Sequence, residues 1–225
     1  MDTTLQDAQK TTTPRLEKAA SVLDSNLLAY YPGLSADDRQ FIKNSMRWAE
    51  SCADLRHDQE QDPAQWFEFY SGVLWSVGWS LEHQPVIVVD NDFTGRLMDA
   101  WSKALSTQVS RAKLSLMKET FTLLENNPAA LQLLTSSASQ SGDFRFLPAE
   151  YNRYGELEIV LTNVRLLGSN WGSSFLFWEV ANPQSQLDVR VRRFAINRRG
   201  INTYREPLQE AVKEMRLREI ELTMQ

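Results

Sequence analysis

The chain has 225 residues, of which 42% are hydrophobic and 24% are charged, and its formal net charge is −5. This length and composition predict a substantial buried core, and the acidic balance disfavours general electrostatic binding to nucleic acid. The single cysteine, Cys52, excludes an intramolecular disulfide framework and is typical of a reducing compartment. We therefore expect a cytoplasmic protein, or one exported without a Sec signal peptide.

The first predicted elements are an arm and a helix. Residues 1–14 carry few large apolar side chains and many Thr and Gln, which predicts a mobile arm. Over 15–138 the apolar residues recur at spacings of three and four, which is the helix period. We therefore expect a helical part over 15–138. Its first helix covers about 15–30, is interrupted near Asp24 and ends before Pro32.

Two further helices are predicted from their start signals. Ser35 precedes an alanine and two aspartates, which is a helix-capping pattern, and an apolar stripe continues to about Asp58. Asp62 followed by Pro63 marks the next start, because aspartate caps helices and proline favours the first helical position. A very apolar helix follows.

This Trp-rich helix, residues 66–81, holds three of the seven tryptophans, Trp66, Trp75 and Trp79. Large apolar side chains surround its axis with serine and glycine between them, which predicts a central core helix of the helical part. The alternative is an element that contacts a partner or inserts into a membrane through these tryptophans. A permanent membrane span is disfavoured, because Glu68 is unfavourable in lipid and the flanks are acidic.

The remainder of the helical part contains one predicted strand. Four β-branched residues at 86–89 follow Pro85, which predicts a short buried strand. A long amphipathic helix is then expected over about 93–126. Pro128 ends it and starts a shorter helix.

From residue 139 the apolar residues alternate as they do in strands, which predicts an antiparallel sheet over 139–225. The chain is therefore predicted to be α+β, and its two parts form either separate domains or one compact domain. The expected elements are strands over 143–147, 157–162, 175–180 and 187–196, a helix capped at Thr203 that packs on the sheet, and an edge strand over 220–224.

An arginine cluster is the main candidate binding site. The apolar residues of the 187–196 strand are odd-numbered before Arg192 and even-numbered after Arg193, which predicts a β-bulge there. Guanidinium groups bind carboxylates and phosphates bidentately, so the cluster predicts a site for a protein or an anionic partner. The alternative is a solvated strand face paired with glutamates across the sheet. The six residues are Arg190, Arg192, Arg193, Arg198, Arg199 and Arg205.

The sequence carries no motif for nucleotides, zinc, calcium or the common serine hydrolases, so no catalytic residue, cofactor or metal site is predicted. Cys52 and His57 are the residue types of a thiol nucleophile and base, but on a helix they lie about 140° apart. A non-enzymatic interaction protein that binds through the sheet module is therefore favoured. Two alternatives stay open: a toxin-like or effector protein that inserts its apolar helix into a membrane, and an enzyme without a sequence signature.

Overall fold

The computed structural model describes residues 19–106, 109–168, 179–180, 184–215 and 218–223. Within these ranges the helices are α1 (Ala36–Asp54), α2 (Pro63–Ser76), α3 (Leu97–Leu105), α4 (Arg111–Glu125), α5 (Pro128–Ser141) and α6 (Arg198–Val212). The strands are β1 (Ala19–Leu23), β2 (Asn26–Tyr30), β3 (Ser80–Leu81), β4 (Val86–Asp90), β5 (Gly95–Arg96), β6 (Asp143–Tyr151), β7 (Leu157–Leu167), β8 (Glu179–Val180), β9 (Gln186–Ile196) and β10 (Glu219–Thr223). The predicted arm at 1–14 and most of the predicted strand over 175–180 lie outside the described residues.

Eight of these strands form one mixed sheet in the order β10-β1-β2-β6-β7-β9, with β3 and β4 both paired to the outer side of β9. The β2–β6 pair is parallel, and the other described pairs of this sheet are antiparallel. A separate short pairing joins β5 to β8. The α+β class is therefore confirmed, and the antiparallel sheet predicted over 139–225 is confirmed in part. Its strands β6, β7 and β9 pair antiparallel, but β2 extends the sheet by a parallel pair with β6. Strands from both predicted parts of the chain lie in the one sheet.

Helices cover both faces of the sheet, so the architecture has three layers. On one face, named the α3 face, α3, α4 and α5 enclose a core in which Trp101 packs edge-on against Phe121 and Phe146. On the other face, named the α1 face, α1, α2 and α6 enclose a second core that contains Phe41 stacked on Trp79. Each core is built from alternate residues of the same strands, because successive side chains of a strand point to opposite faces.

The helix expected over 15–30 is wrong, since the described residues of this segment, 19–30, form the hairpin of β1 and β2. Ala20 pairs with Ala29, and the chain reverses at Asp24, whose φ of 49° is in the left-handed region typical of turns. The interruption expected near Asp24 is thus the turn of the hairpin. Both strands are buried on both faces and read as continuous apolar runs, so the alternation that distinguishes a strand is missing.

The bulge expected within β9 is also wrong, because β9 pairs residue for residue with all of β7. The apolar residues change from odd to even for another reason. Val191 belongs to the core of the α3 face, whereas Phe194 belongs to the core of the α1 face. One straight strand thus contributes its first half to one core and its second half to the other.

Extra residues are nevertheless present opposite Arg192 and Arg193, on the neighbouring chain segment. Leu81 of β3 pairs with Phe194, and Val86 of β4 pairs with Val191. Residues 82–85 therefore lie opposite residues 192–193 and loop outwards between β3 and β4. The sequence indicated extra residues at this point of the sheet, and they are present, but they lie between β3 and β4 and not in β9.

The helices differ from expectation mainly in their ends. Ser35 caps α1 by accepting a hydrogen bond from the Asp38 backbone N–H, as predicted. The single helix expected over 93–126 is wrong: a break after α3 separates it from α4, which Ser110 caps. Likewise α6 is capped by Asn197 and not by Thr203, so Arg198, Arg199 and Arg205 lie on a helix.

The Trp-rich helix is confirmed in part. α2 begins at Pro63 but ends at Ser76, so Trp79 lies beyond its end and residues 80–81 form β3. α2 also lies in an outer layer and not at the centre of a bundle. Trp66, Phe67 and Tyr70 are buried against α1 and the sheet. On the opposite side of the helix Trp75 keeps 74% of its surface exposed. α2 thus presents both a core face and an apolar outer face.

Candidate functional site

The six arginines predicted to bind a partner form two separate groups. Arg190, Arg192 and Arg193 lie on β9, next to the edge segments β3 and β4. Arg198, Arg199 and Arg205 lie on α6.

Two arginines of β9 face α2. Arg192 donates a hydrogen bond to Glu68 of α2, and its guanidinium carbon lies 5.2 Å from the centroid of the Phe67 ring. Arg190 Nη1 lies 3.9 Å from the Glu68 carboxylate, and Arg190 Nη2 donates to Asp188 at 3.0 Å. Of these contacts, the charge-assisted hydrogen bond between Arg192 and Glu68 joins α2 to the edge of the sheet, and solvent screens it because the Glu68 side chain is 54% exposed.

Arg193 points to the other face of the sheet. Its Nη2 donates to the Glu158 carboxylate at 2.5 Å, and Lys113 of α4 donates to the same carboxylate at 2.8 Å. Glu158 is buried, so these two cations supply the compensation that an internal carboxylate requires. The exposed His83 ring lies 3.1 Å from Arg193 Nη1.

The second group is centred on Asp38 of α1, whose side chain is fully buried. Arg198 and Arg205 of α6 donate to Asp38 Oδ1 at 2.9 and 2.7 Å, and the Tyr151 hydroxyl donates to Oδ2. Burial alone raises the pKa of the Asp38 carboxyl, but these hydrogen bonds outweigh burial and hold its pKa below the ordinary value. Arg199 is exposed on α6. Partner binding by the six arginines stays a prediction, and five of them contact carboxylates of their own chain.

The Asp38 contacts predict an acid-sensitive link between α1 and α6. Asp38→Asn is expected to lower the free energy of unfolding at neutral pH by about 2 kcal/mol, because the carboxylate charge that pairs with Arg198 and Arg205 is lost. A carboxyl whose pKa is lowered by folding contributes stability that is lost as the pH falls through that lowered pKa. The difference from wild type should therefore fade below about pH 4.

Urea unfolding of both proteins at pH 7 and pH 3 measures this difference. Asp37→Asn is the matched control, because its side chain is 86% exposed and it should change stability by less than about 0.5 kcal/mol. A difference between wild type and Asp38→Asn that stays constant over this pH range would contradict the assignment.

The three tryptophans predicted to contact a membrane or partner have different environments. Trp66 and Trp79 are fully buried, and their indole N–H groups donate to Asp54 at 2.8 Å and to Ser45 at 3.1 Å. Trp75 is exposed. Contact with a partner in this conformation is therefore open to Trp75, whereas the other two stabilise the core.

β4 is the largest departure from the sequence-based expectation. The strand at 86–89 is confirmed, but its burial is wrong: Ile87, Val88 and Val89 are 58%, 38% and 49% exposed. β4 pairs with β9 on one side, and no described strand pairs with its other side. Pro85 directly precedes the strand, and proline at the start of a strand is compatible with an edge and with a central position alike, so it gives no signal for the edge.

The exposed side chains of this region lie together. Leu81, Ile87 and Val89 pair with residues of β9 that point to the α1 face. Trp75 follows Glu68 by seven residues, nearly two helix turns, so it lies on the side of α2 that contacts β9. We name Trp75, Leu81, Ile87, Val88 and Val89 the apolar edge. The exposed acids Glu82, Asp90 and Asp92 flank it.

The thiol-enzyme alternative gains no support from the geometry. Burial raises the pKa of the Cys52 thiol, whereas a nucleophilic cysteine requires a lowered pKa. The His57 ring packs edge-on against Phe69, with their centroids 5.5 Å apart. In the described part of the chain no three Asp, Glu, His or Cys side chains are grouped as metal ligands require. None of the described helices combines the length and the hydropathy needed to cross a bilayer.

Comparison with known proteins assigns no family. The chain matches no family model and no curated protein sequence. A solved structure of a delta-endotoxin is similar over 87% of this chain and 88% of its own, with 9% identity and a TM-score of 0.42. The Evf virulence factor is similar over 94% of this chain and 87% of its own, with 8% identity and a TM-score of 0.37. Similarity at this level assigns neither a fold nor a function to the chain.

Proposed function

We propose that this chain is a non-enzymatic interaction protein that binds an extended segment of a partner protein along β4. The observation that supports the proposal is the exposure of Ile87, Val88 and Val89 on a strand that is paired on one side among the described residues. Proteins normally cover such edges or place charges on them, because the N–H and C=O groups of an edge template pairing with other chains. An edge with three exposed β-branched side chains is suited to strand addition.

The register of β4 defines the sequence that its partner requires. Ile87 and Val89 point to the α1 face and Val88 points to the α3 face, so an added strand meets apolar surface on both sides. A partner segment with apolar residues at alternate positions, or at every position, therefore gains binding free energy by burying them against β4. Glu82, Asp90 and Asp92 flank the strand, which favours lysine or arginine at the ends of the partner segment.

The β9 arginines support a protein partner more than an anionic one. Arg190 and Arg192 contact Glu68, and Arg193 contacts Glu158, so their charges are compensated within the chain. An anion would have to displace these carboxylates. In the proposal the arginines orient α2 and β9, and the apolar edge makes the contact.

Selection from a displayed library of twelve-residue peptides tests this function. We expect selected peptides to contain an apolar run with flanking basic residues, and to slow amide hydrogen exchange in β4 when they bind. Ile87→Lys/Val89→Lys is expected to weaken their binding at least about tenfold, because both substitutions place charges on the pairing edge. Tyr154→Lys/Gln209→Lys adds the same charge at exposed positions away from β4 and should leave binding unchanged.

Three results would overturn the proposal: no peptide selected, equal binding to the β4 variant, or exchange protection confined to other strands. The membrane alternative is tested in parallel by flotation with vesicles of phosphatidylcholine and phosphatidylglycerol. Flotation of wild type that is abolished by Trp75→Ser, without any peptide binding, would replace strand addition by membrane contact at the same surface.

A further inference from the structure

β4 has two backbone edges, and β9 pairs with one of them. In a strand the N–H and C=O groups of one residue point to one edge, and those of the next residue point to the other edge. A partner strand can therefore hydrogen-bond to alternate residues of β4 and not to all of them. The hydrogen bonds of β9 show which residues these are.

Two hydrogen bonds at opposite ends of β9 fix the direction of its backbone groups. The C=O of Arg193 accepts from the Glu82 N–H at 2.9 Å, and the C=O of Ser185 accepts from the Phe93 N–H at 2.8 Å. Both acceptors are odd-numbered, and both donors belong to segments that flank β4. β9 pairs with β7 without a break over 186–196, so the alternation is continuous between the two acceptors. The backbone groups of odd-numbered residues of β9 therefore point to β4, and those of even-numbered residues point to β7.

The register between β4 and β9 then gives the direction of the β4 groups. Val88 lies opposite Val189, and Ile87 lies opposite Arg190. The backbone of Val189 points to β4, so Val88 exchanges hydrogen bonds with it. The backbone of Arg190 points to β7, so Ile87 has no such bonds to β9, and the same holds for Val89 two residues later. The N–H and C=O groups of Ile87 and Val89 thus point to the edge of β4 with which no described strand pairs.

We infer, on the basis of the proposed function, that the partner adds as an antiparallel strand in which two alternate residues hydrogen-bond to Ile87 and Val89. In an antiparallel pair each bonded residue donates to and accepts from the residue opposite. Antiparallel addition is favoured because it is slightly more stable per residue than parallel addition. The two bonded partner residues require an N–H, which excludes proline. The N–H of the residue between them points away from β4.

The same register defines where the partner side chains lie. Residues directly opposite each other in a sheet share a face. The two bonded partner residues therefore project onto the α1 face beside Ile87 and Val89, where Trp75 and Leu81 of the apolar edge also lie. The residue between them projects onto the α3 face beside Val88. The partner is thus a polypeptide segment with apolar residues, each carrying an N–H, at two alternate positions, and with a position between them that tolerates a substituted nitrogen.

N-methyl scanning of a selected peptide, measured by isothermal titration of the intact protein, tests this inference. N-methylation replaces an N–H donor with a methyl group. At either bonded position it is expected to weaken binding at least about tenfold, because a hydrogen bond is lost and the methyl group meets the strand edge. At the position between them it should change the Kd by less than about threefold.

Val89→Pro makes the corresponding change on the protein. It removes an N–H that points away from β9, and it is expected to weaken peptide binding at least about tenfold. Proline is tolerated on an edge strand when its nitrogen points outwards, so the fold should persist, which thermal unfolding verifies. Val89→Thr is the matched control, because it keeps both the N–H and a β-branched side chain, and it should weaken binding by no more than about threefold.

Double-mutant cycles determine the orientation of the partner strand. Alanine at a bonded peptide position should couple to Ile87→Ala and not to Val88→Ala, because antiparallel pairing places these residues on the face of Ile87. In a parallel pair the bonded residues lie on the face of Val88, so coupling to Val88→Ala would overturn the antiparallel assignment.

The outcomes also separate this inference from the proposed function. Equal effects of N-methylation at all three positions would overturn the backbone pairing, even if Ile87→Lys/Val89→Lys still abolished binding and so supported apolar contact along β4. Absence of any selected peptide would overturn the proposed function and the backbone pairing together.

Discussion

Replacing Arg145 with methionine is expected to lower the free energy of unfolding by about 3 to 5 kcal/mol. The Arg145 side chain is fully buried, its Nη2 lies 2.7 Å from Glu50, and its guanidinium carbon lies 4.7 Å from the centroid of the Trp66 ring. Burial raises the pKa values of the Glu50 and Asp143 carboxyls, and the Arg145 charge partly offsets that rise. Without it, the buried Asp143 carboxylate and the partly buried Glu50 carboxylate lose the guanidinium that offsets their charge.

The pH dependence of this loss follows from the direction of those shifts. A carboxyl whose pKa is raised by folding destabilises the fold as the pH rises through that raised value. Arg145→Met raises both pKa values further, so the loss should be largest at neutral pH and should shrink as acid protonates Glu50 and Asp143. Urea unfolding at several pH values measures both effects.

Arg153→Met is the matched control, since Arg153 is exposed and should change stability by less than about 0.5 kcal/mol. Arg145→Met/Asp143→Asn should recover part of the lost stability, because it removes one of the uncompensated charges. An Arg145→Met variant as stable as the Arg153 control would show that the buried charge cluster does not stabilise the fold.

Trp101→Ala is the second large effect, with an expected loss of about 3 to 5 kcal/mol. Trp101 is 1% exposed, and its ring centroid lies 5.3 Å from that of Phe121 and 5.1 Å from that of Phe146. Removal of the indole leaves a cavity in the core of the α3 face that rigid neighbours only partly fill. Chemical denaturation monitored by far-ultraviolet circular dichroism gives the change.

Trp75→Ala is the identical substitution at an exposed position and should stay within about 0.5 kcal/mol of wild type. The pair of variants thus compares the same chemical change in the core and on the apolar edge. Equal destabilisation of both would mean that Trp75 is covered in solution. That result would also contradict the surface proposed for partner binding.

Local sequence signals predicted where helices begin better than they predicted which buried segments are strands. Ser35, Pro63 and Pro128 mark helix starts because capping and proline geometry depend on a few adjacent residues. The hairpin of β1 and β2 was not predictable in the same way. Its strands are buried on both faces, and a continuous apolar run does not distinguish such a strand from a helix.

The candidate sites depend on tertiary contacts that no local pattern encodes. The exposure of β4 follows from its place at the end of the strand order, whereas its β-branched sequence is equally typical of a central strand. Arg145 carried one readable signal, because it lies between Phe144 and Phe146 in a strand, where a charged residue at an inward position requires partners.

The strand order also determines when the sheet can form during synthesis. β1 pairs with β10, so Ala19 lies opposite Thr223, and β2 pairs in parallel with β6, about 120 residues away. Neither side of the hairpin can be covered by its final neighbour until most of the chain has left the ribosome. The N-terminal strands therefore spend the longest time with open edges, and contacts of such sequence separation form slowly. The sheet is consequently expected to be completed only after β10 has been synthesised and has paired with β1.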